Sequence, residues 1–429
     1  MEFYGLIGEK LGHSLSEPIH RMFFELMGIQ GAYKLVEVPK DQLPGLGAAM
    51  RLIGIRGMNV TIPYKQAIMD QLDRVDELAR RVGAVNTVLL KEGELTGYNT
   101  DVYGLRALMD RHKMPVQGAT AAILGTGGVS KAALEVLLSG GAQTIYYVSR
   151  DKAGKRAPDP RVICADYRDL ADLSGDILIN CTPVGMYPKN GEQPVDLAVF
   201  PALEGVLDVI YNPRRTALLL QAEERGIPCS DGLPMLVAQA SAAEERFFGK
   251  TIPAGENERI LAQLRREMTN IVLIGMPGSG KTTVGEALSR LTGREAVDLD
   301  QMIAADAGCS IPEIFSREGE SGFRAREAAA AAEAGKRTGV ILLTGGGIVK
   351  TAANYDALHQ NGRIYQLVRD LSLLPTEGRP LSQGADLEAM WRERAPLYQR
   401  FRDAEIDNNG AVEDTAAAIW RDFCEHSGD

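Results

Sequence analysis

The sequence predicts an α/β protein of two or three domains, and three observations along its 429 residues carry that prediction. The apolar run Ile271-Val272-Leu273-Ile274 leads straight into Gly275-Met276-Pro277-Gly278-Ser279-Gly280-Lys281-Thr282-Thr283 and then into the amphipathic Val284-Gly285-Glu286-Ala287-Leu288. That order is strand, glycine-rich turn, helix. Earlier, Ala121-Ala122-Ile123-Leu124 is followed by Gly125-Thr126-Gly127-Gly128, a helical stretch over 130 to about 138, and a β-branched and aromatic run over 144–148, which reads as a βαβ unit. Thirdly, short apolar runs alternate with helical stretches from 119 to 250 and through the first hundred residues, the pattern of sheets flanked by helices.

Each remaining element follows from local chemistry. Helices are expected over 235–248 and 256–267, and only Met268, Thr269 and Asn270 separate the second from the strand that begins the glycine-rich turn. The halves are therefore joined without a Ser/Gly-rich tether. The Ala-rich segment 328–334 reads as helix, and no internal repeat is visible. With 45% hydrophobic and 24% charged residues the composition is that of a soluble protein able to bury large cores. A net charge of −10 argues against nucleic-acid binding and offers no basic run for an anionic membrane. No apolar run approaches the ~18 residues of a membrane span, and Met1-Glu2-Phe3-Tyr4-Gly5 does not begin a secretory signal. The five cysteines and five histidines are scattered, so reduced thiols of a cytoplasmic protein are expected and a zinc site is not.

The glycine-rich turn at 275–283 points to a nucleoside triphosphate. Gly278, Ser279, Gly280, Lys281, Thr282 and Thr283 can wrap phosphates with backbone N–H groups, Lys281 adds a charge, and the Thr282 hydroxyl suits Mg²⁺. The turn at Gly125, Gly127 and Gly128 is either a plain tight turn or a dinucleotide site, and its place between strand and helix favours the latter. Where the following strand ends, Ser149-Arg150-Asp151-Lys152 sets a hydroxyl and two cations where an NAD site usually has an acid. Ser149, Arg150 and Lys152 suit the 2′-phosphate of NADPH. Asp151 is the one hint of NAD, and a solvated basic turn is the bland alternative.

Polar motifs sit at turns of the first half: Gly12-His13-Ser14-Leu15-Ser16, Asn59-Val60-Thr61-Ile62-Pro63-Tyr64-Lys65, Gly83-Ala84-Val85-Asn86-Thr87 and Gly97-Tyr98-Asn99-Thr100-Asp101. Singly each could be a loop cap. As an ordered set, joined by Asn180-Cys181-Thr182-Pro183-Val184-Gly185-Met186, Asp208-Val209-Ile210-Tyr211 and 232–239, they resemble the shikimate dehydrogenase family. The resemblance implies that Lys65, beside Asp101, protonates the alkoxide left by hydride transfer to a ketone. It implies that Ser14, Ser16 and Tyr211 hold the substrate carboxylate, that Thr61, Asn86, Asp101 and Gln239 meet ring hydroxyls, and that Thr182 lies at the cofactor. Glu17, Pro18 and Arg21 depart from the family pattern, which has Pro directly after the second serine and Asn at the later position.

The second half adds Asp298-Leu299-Asp300, Phe323-Arg324-Ala325-Arg326-Glu327, Gly345-Gly346-Gly347, Gly378-Arg379-Pro380-Leu381 and Arg394-Ala395-Pro396-Leu397-Tyr398 to the glycine-rich turn. This order resembles shikimate kinase. The resemblance implies that Asp298 lies near Mg²⁺ with Thr282, that Asp300 receives the acceptor hydroxyl, and that Arg324 and Arg394 clamp a carboxylate. It also implies that Gly346 and its neighbours approach the substrate, and that Arg379 enters from a lid over the ATP phosphates to act in the transition state. Asp298 and Asp300, two apart on a strand, are expected to share a face. The alternative for Arg324 is a helix-face ion pair with Glu327.

The resemblances together imply an α/β substrate domain at 1–103 and 232–267, a Rossmann-like NADP domain at 104–231 and a P-loop kinase α/β/α domain at 270–429. They imply NADPH, ATP and Mg²⁺ as cofactors, and 3-dehydroshikimate and shikimate as small-molecule substrates. Two alternatives stay open: a quinate/shikimate dehydrogenase using NAD, or a half that binds shikimate only to regulate the other. Oligomeric state is not readable from the sequence.

Overall fold

The computed structural model describes residues 2–12, 14–154, 156–170, 175–374 and 387–427. Contacts divide the chain into two units: Met1–Met186, Glu192–Tyr211 and Gln221–Leu261 form one, and Tyr187–Gly191, Asn212–Leu220 and Ala262–Asp429 the other.

The first unit contains two six-stranded sheets. One runs, in spatial order, Gly31–Glu37, Glu2–Gly8, Ile55–Val60, Thr87–Lys91, Glu94–Tyr98 and Arg74–Val75. Its first three strands are parallel, and the hairpin Thr87–Lys91 with Glu94–Tyr98 adds antiparallel pairs. The helix Leu233–Phe248 returns to this sheet, where Ala243 and Phe247 pack with Tyr4, Leu6, Phe24 and Tyr33.

The other sheet is wholly parallel in the order Cys229–Ser230, Gly205–Asp208, Ile177–Asn180, Thr120–Leu124, Thr144–Ser149 and Val162–Asp166. The chain starts in the middle, builds outward one way, then returns to build the other way. That reversal leaves a crevice beyond the carboxyl ends of Thr120–Leu124 and Ile177–Asn180. Ile177–Asn180 is buried throughout, as expected of a strand covered on both faces. Leu105, Leu108, Ala133 and Leu137, from the helices Asp101–Arg111 and Gly128–Ser139, pack with Ala121, Ile123 and Ile179 of the sheet.

The second unit holds a parallel five-stranded sheet in the order Ala296–Asp298, Ile341–Leu343, Asn270–Ile274, Gly362–Val368 and Ala404–Asp407. All five residues of Asn270–Ile274 are buried, and the glycine-rich turn leaves its carboxyl end for the helix Lys281–Thr292. One expectation is corrected here: Asp298 ends its strand, whereas Asp300 lies in the first turn of the helix Leu299–Ala307. Asp298 caps that helix, accepting hydrogen bonds from the Asp300 and Gln301 amides at 2.9 and 3.2 Å. A strand-end Asp is a strong helix N-cap, and that preference stops the strand two residues short of Asp300. Among the described residues no helix is long and apolar enough to cross a membrane.

The crossing of Asp101–Arg111 over Leu233–Phe248 depends on Gly104, where an added Cβ would lie 2.5 Å from the Met235 carbonyl oxygen. Backbone cannot yield as a side chain can. Gly104→Ala should therefore destabilise the first unit by about 1–3 kcal/mol, measured as a fall in its urea midpoint. An unchanged midpoint would show that the two helices separate freely.

Candidate active sites

The turn after Ile55–Val60 carries Lys65, which is buried and donates from Nζ to Asp101 Oδ2 at 2.6 Å. Asp101 opens the helix Asp101–Arg111, so its carboxylate also lies where the helix dipole favours negative charge. Its other oxygen accepts from Asn86 Nδ2 at 2.9 Å, and the same amide reaches Thr100 Oγ1 at 3.0 Å and Gln239 Oε1 at 3.4 Å. Asn86 Oδ1 in turn accepts from the Thr100 amide at 2.7 Å. The structure thus brings Lys65, Asn86, Asp101 and Gln239 into one cluster.

Ser14, Ser16 and Tyr211 form a second cluster. The Ser14 hydroxyl donates to Ser16 Oγ at 3.1 Å, and the Tyr211 hydroxyl accepts from the Leu15 backbone between them. Burial raises the Tyr211 pKa above its usual value, so the phenol stays a neutral donor. A chain of hydrogen bonds joins this cluster to the first. Ser16 bonds the buried Tyr33 hydroxyl, which donates to Asn59 Oδ1 at 2.8 Å. Asn59 Nδ2 donates to Thr87 Oγ1 at 3.1 Å, and Thr87 Oγ1 donates to Asn86 Oδ1 at 3.2 Å. Thr61, half-buried, stands at the strand end against Gly8, whose missing Cβ would lie 2.7 Å from Thr61 Cγ2. Sequence reasoning missed Tyr33, which lies outside every motif, and the buried pair of His20 with Glu244 beneath it.

The Gly-x-Gly-Gly turn belongs to this site by contact. A Cβ on Gly128 would lie 3.1 Å from Lys65 Cδ. Gly125, at φ 99°, would meet Thr182 Cγ2 at 3.1 Å and the Cys181 carbonyl oxygen at 3.2 Å, so the turn spans the crevice between the two central strands. Thr182 is fixed there by its hydroxyl donating to Asn180 Oδ1 at 2.7 Å. Gly127, the residue before the helix, has open space on its Cβ side.

At the end of Thr144–Ser149 the three expected groups differ in their engagement. The buried Ser149 hydroxyl donates to the Asp151 carbonyl at 2.7 Å, and Lys152 bonds both oxygens of Asp169 at 2.7 Å. That ion pair raises the Lys152 pKa. Asp151 accepts from the Ala153 amide at 2.9 Å and so stabilises its own turn. Arg150 is exposed, and among the described residues no hydrogen bond or ion pair engages it.

In the second unit, Lys281 Nζ donates to the Gly275 and Met276 carbonyls at 2.8 and 3.0 Å, folding back over the turn it belongs to. Gly275, Gly278 and Gly280 take φ of 146°, 88° and 91°, which only glycine adopts without strain. The Ser279 hydroxyl is buried without a hydrogen-bond partner, while Thr282 and Thr283 are exposed on the first turn of the helix.

Gly345-Gly346-Gly347 follows the neighbouring strand and makes three close approaches. A Cβ on Gly345 would lie 3.1 Å from both Asp300 Oδ1 and Glu327 Oε1, one on Gly346 2.6 Å from Pro277 Cδ, and one on Gly347 2.4 Å from the Arg324 guanidinium nitrogens. The buried Arg394 donates to the Gly346 carbonyl at 3.0 Å. Asp300, Arg324, Gly346 and Arg394 are therefore gathered against the phosphate-binding turn. Arg324 also pairs with Glu327 at 2.6 Å and Glu320 at 3.3 Å, so the ion pair and the gathering coexist. Burial raises the Glu327 pKa and Arg324 opposes it. Arg379 lies outside the described residues.

Comparison with known proteins finds two families along the chain. A family model described as the shikimate dehydrogenase substrate binding domain matches residues 6–88, and one described as shikimate kinase matches 277–424. The shikimate dehydrogenase (NADP(+)) of Clostridium beijerinckii is 45% identical over 246 residues, 57% of this chain and 91% of that protein. The crystal structure of shikimate dehydrogenase 1 from Peptoclostridium difficile superposes with a TM-score of 0.59 at 43% identity, covering 62% of this chain and 98% of the other. A shikimate 5-dehydrogenase from Thermus thermophilus, in complex with NADP(H) and shikimate, superposes at 0.54 with 29% identity, covering 61% of this chain and 98% of that one.

Asp300 supplies a direct electrostatic test of the second site. Partial desolvation raises its pKa first and the Asp298 charge second, against Lys281 and Arg324, although the residue is exposed. NMR titration of the labelled carboxyl should give a midpoint above the ordinary ~3.9, moved down by Asp298→Asn. A midpoint at or below the ordinary value, or one indifferent to Asp298→Asn, would contradict this arrangement.

Proposed function

We propose that this chain, which belongs to the shikimate dehydrogenase family and carries a shikimate kinase domain after it, reduces 3-dehydroshikimate to shikimate and then phosphorylates shikimate. We assign 1–103 with 232–267 to holding the first substrate, 104–231 to the dinucleotide and 270–429 to phosphoryl transfer. The observation that carries the reading is the Lys65–Asp101 ion pair with Gly128 of the dinucleotide turn against the lysine side chain.

In the first reaction NADPH, when bound, supplies the hydride. Lys65 lies beside the turn that would hold it, so a ketone bound there would have the ammonium within reach of its oxygen. Lys65 Nζ then gives its proton to the alkoxide, and Asp101 keeps the lysine charged and aimed until it does. Asn86, Thr61 and Gln239 are polar groups suited to ring hydroxyls, and Ser14, Ser16 and Tyr211 to the carboxylate. Arg150 is the group suited to the 2′-phosphate, because Lys152 and Ser149 are engaged elsewhere. Asp151 is occupied by its own turn, which weighs against the NAD alternative.

In the second reaction ATP, when bound, supplies the phosphoryl group. Asp300, with its raised pKa, accepts the proton of the attacking hydroxyl, and Arg324 and Arg394 orient the substrate through its carboxylate. The exposed Thr282 hydroxyl and the Asp298 carboxylate, which uses one oxygen to cap its helix, are hard oxygen donors of the kind Mg²⁺ takes and would hold it, neutralising phosphate charge when bound. Arg379, outside the described residues, is assigned to transition-state stabilisation. The intact charged groups in both sites favour catalysis in each over a regulatory half. The deciding experiment is to assay both activities on the purified chain.

Lys65→Ala should lower dehydrogenase turnover by about 10²–10⁴-fold, the usual loss of a general acid, and leave the kinase rate near normal. Lys281→Ala should do the reverse, costing about 10²-fold or more in phosphorylation. Loss of both activities in either variant would mean that the assignment is wrong or the chain unfolds. Arg150→Ala should raise the KM for NADPH by about ten- to hundredfold, as for a lost hydrogen bond to a charged group, with little effect on NADH. Equal shifts for both cofactors would rule out 2′-phosphate recognition.

A further inference from the structure

Arg369 follows the strand Gly362–Val368 and is used by neither the motifs nor the mechanism above. It is half-buried, its Nε is shielded from solvent without a hydrogen-bond partner, and among the described residues no carboxylate pairs with it. An arginine in that state is costly unless its N–H groups meet an acceptor at some point in the protein's working cycle.

Its surroundings identify that acceptor. Gly280, at φ 91° in the phosphate-binding turn, points its missing Cβ at Arg369 Nη1, 3.9 Å away, and at Asn408 Nδ2, 2.6 Å away. Asn408 ties the region together: its Nδ2 donates to the Ser279 carbonyl at 2.6 Å and its amide to the Val368 carbonyl at 2.8 Å. The next residue, Asn409, accepts from the Asp370 amide at 2.9 Å. Arg369 is thus flanked by residues bonded to the turn that follows Ala404–Asp407, and Val368 is bonded through Asn408 to the phosphate-binding turn. The guanidinium is held at the edge of that turn by backbone connections on both sides of it.

We infer that Arg369 is a nucleotide-binding residue of the second unit, donating from its guanidinium to phosphate oxygens of the nucleotide held by the glycine-rich turn. The inference rests on the kinase reading of that turn. A phosphate chain is the acceptor because the nearest part of the turn is Gly280, within the run of amides that wraps phosphates, and because a planar guanidinium matches phosphate geometry. Lys281 supplies the other cation at the same turn, so the two charges would act on one ligand.

The test measures binding of ADP, a non-hydrolysable ATP analogue and adenosine by calorimetry on the full chain, in wild type, Arg369→Ala, Arg369→Lys and Lys281→Ala. Arg369→Ala should weaken ADP and the analogue by about tenfold or more, Arg369→Lys should recover part of that loss, and adenosine should bind equally to wild type and both Arg369 variants. Shikimate affinity and the dehydrogenase rate should stay at wild-type values, which also reports folding. Unchanged ADP binding in Arg369→Ala overturns the inference, as does an equal loss for ADP and adenosine, which would assign the contact to the base. If wild type binds no ADP, or Lys281→Ala binds it as well as wild type, the kinase reading itself fails. If Arg369→Ala does not fold, the Arg369→Lys comparison of ADP with adenosine decides the question alone.

Discussion

A buried ammonium and a buried carboxylate tolerate each other only as a pair, and the arrangement of the first unit follows from keeping Lys65 and Asp101 2.6 Å apart. Lysine comes from the turn after one strand, aspartate from the start of a helix, and Asn86 from the end of a third segment. None can shift without stranding a charge. The relay through Thr87, Asn59 and Tyr33 carries the same demand to Ser16, so the two ends of the cluster are bonded into one network. Networks of this kind are costly when partly satisfied and rigid when complete.

The second unit solves a related problem with small residues. Its glycines at 345–347 sit where a side chain would crowd Asp300 and Glu327, meet the Pro277 ring or displace the Arg324 guanidinium. Backbone is thereby brought to the charged groups, and the acidic, basic and phosphate-binding elements share a volume that larger residues would fill. Both units place their chemistry at the carboxyl ends of parallel strands, where the turns leave the sheet.

Much of this was legible in the sequence. The two glycine-rich turns were framed by apolar strands, and the helices over 233–248 and 256–268 lie within a residue or two of where their periodicity placed them. The gathering of Lys65, Asn86, Asp101 and Gln239 follows motifs read as an ordered set. What was not legible depended on local competition or distant contact. The geometry of Asp298 and Asp300 turned on a helix cap overriding a strand. Lys152 looked available until its partner Asp169, seventeen positions on, was seen across the loop. Tyr33 and Arg369 belong to no motif, and only the tertiary structure gives them neighbours.

The lysine of the phosphate-binding turn bonds two carbonyls of its own loop. The turn therefore carries an internal counter-charge that satisfies two of its own carbonyl oxygens. Ligand entry becomes an exchange of partners for one flexible side chain rather than the ordering of a loop. The entropic penalty of association then falls on a few methylene torsions. The heat of binding would report mainly the difference between lysine held by peptide oxygens and lysine held by phosphate. A loop prepared in this way would shed its ligand by the same exchange run backwards, with Gly275, Gly278 and Gly280 keeping the positive φ that glycine takes without strain.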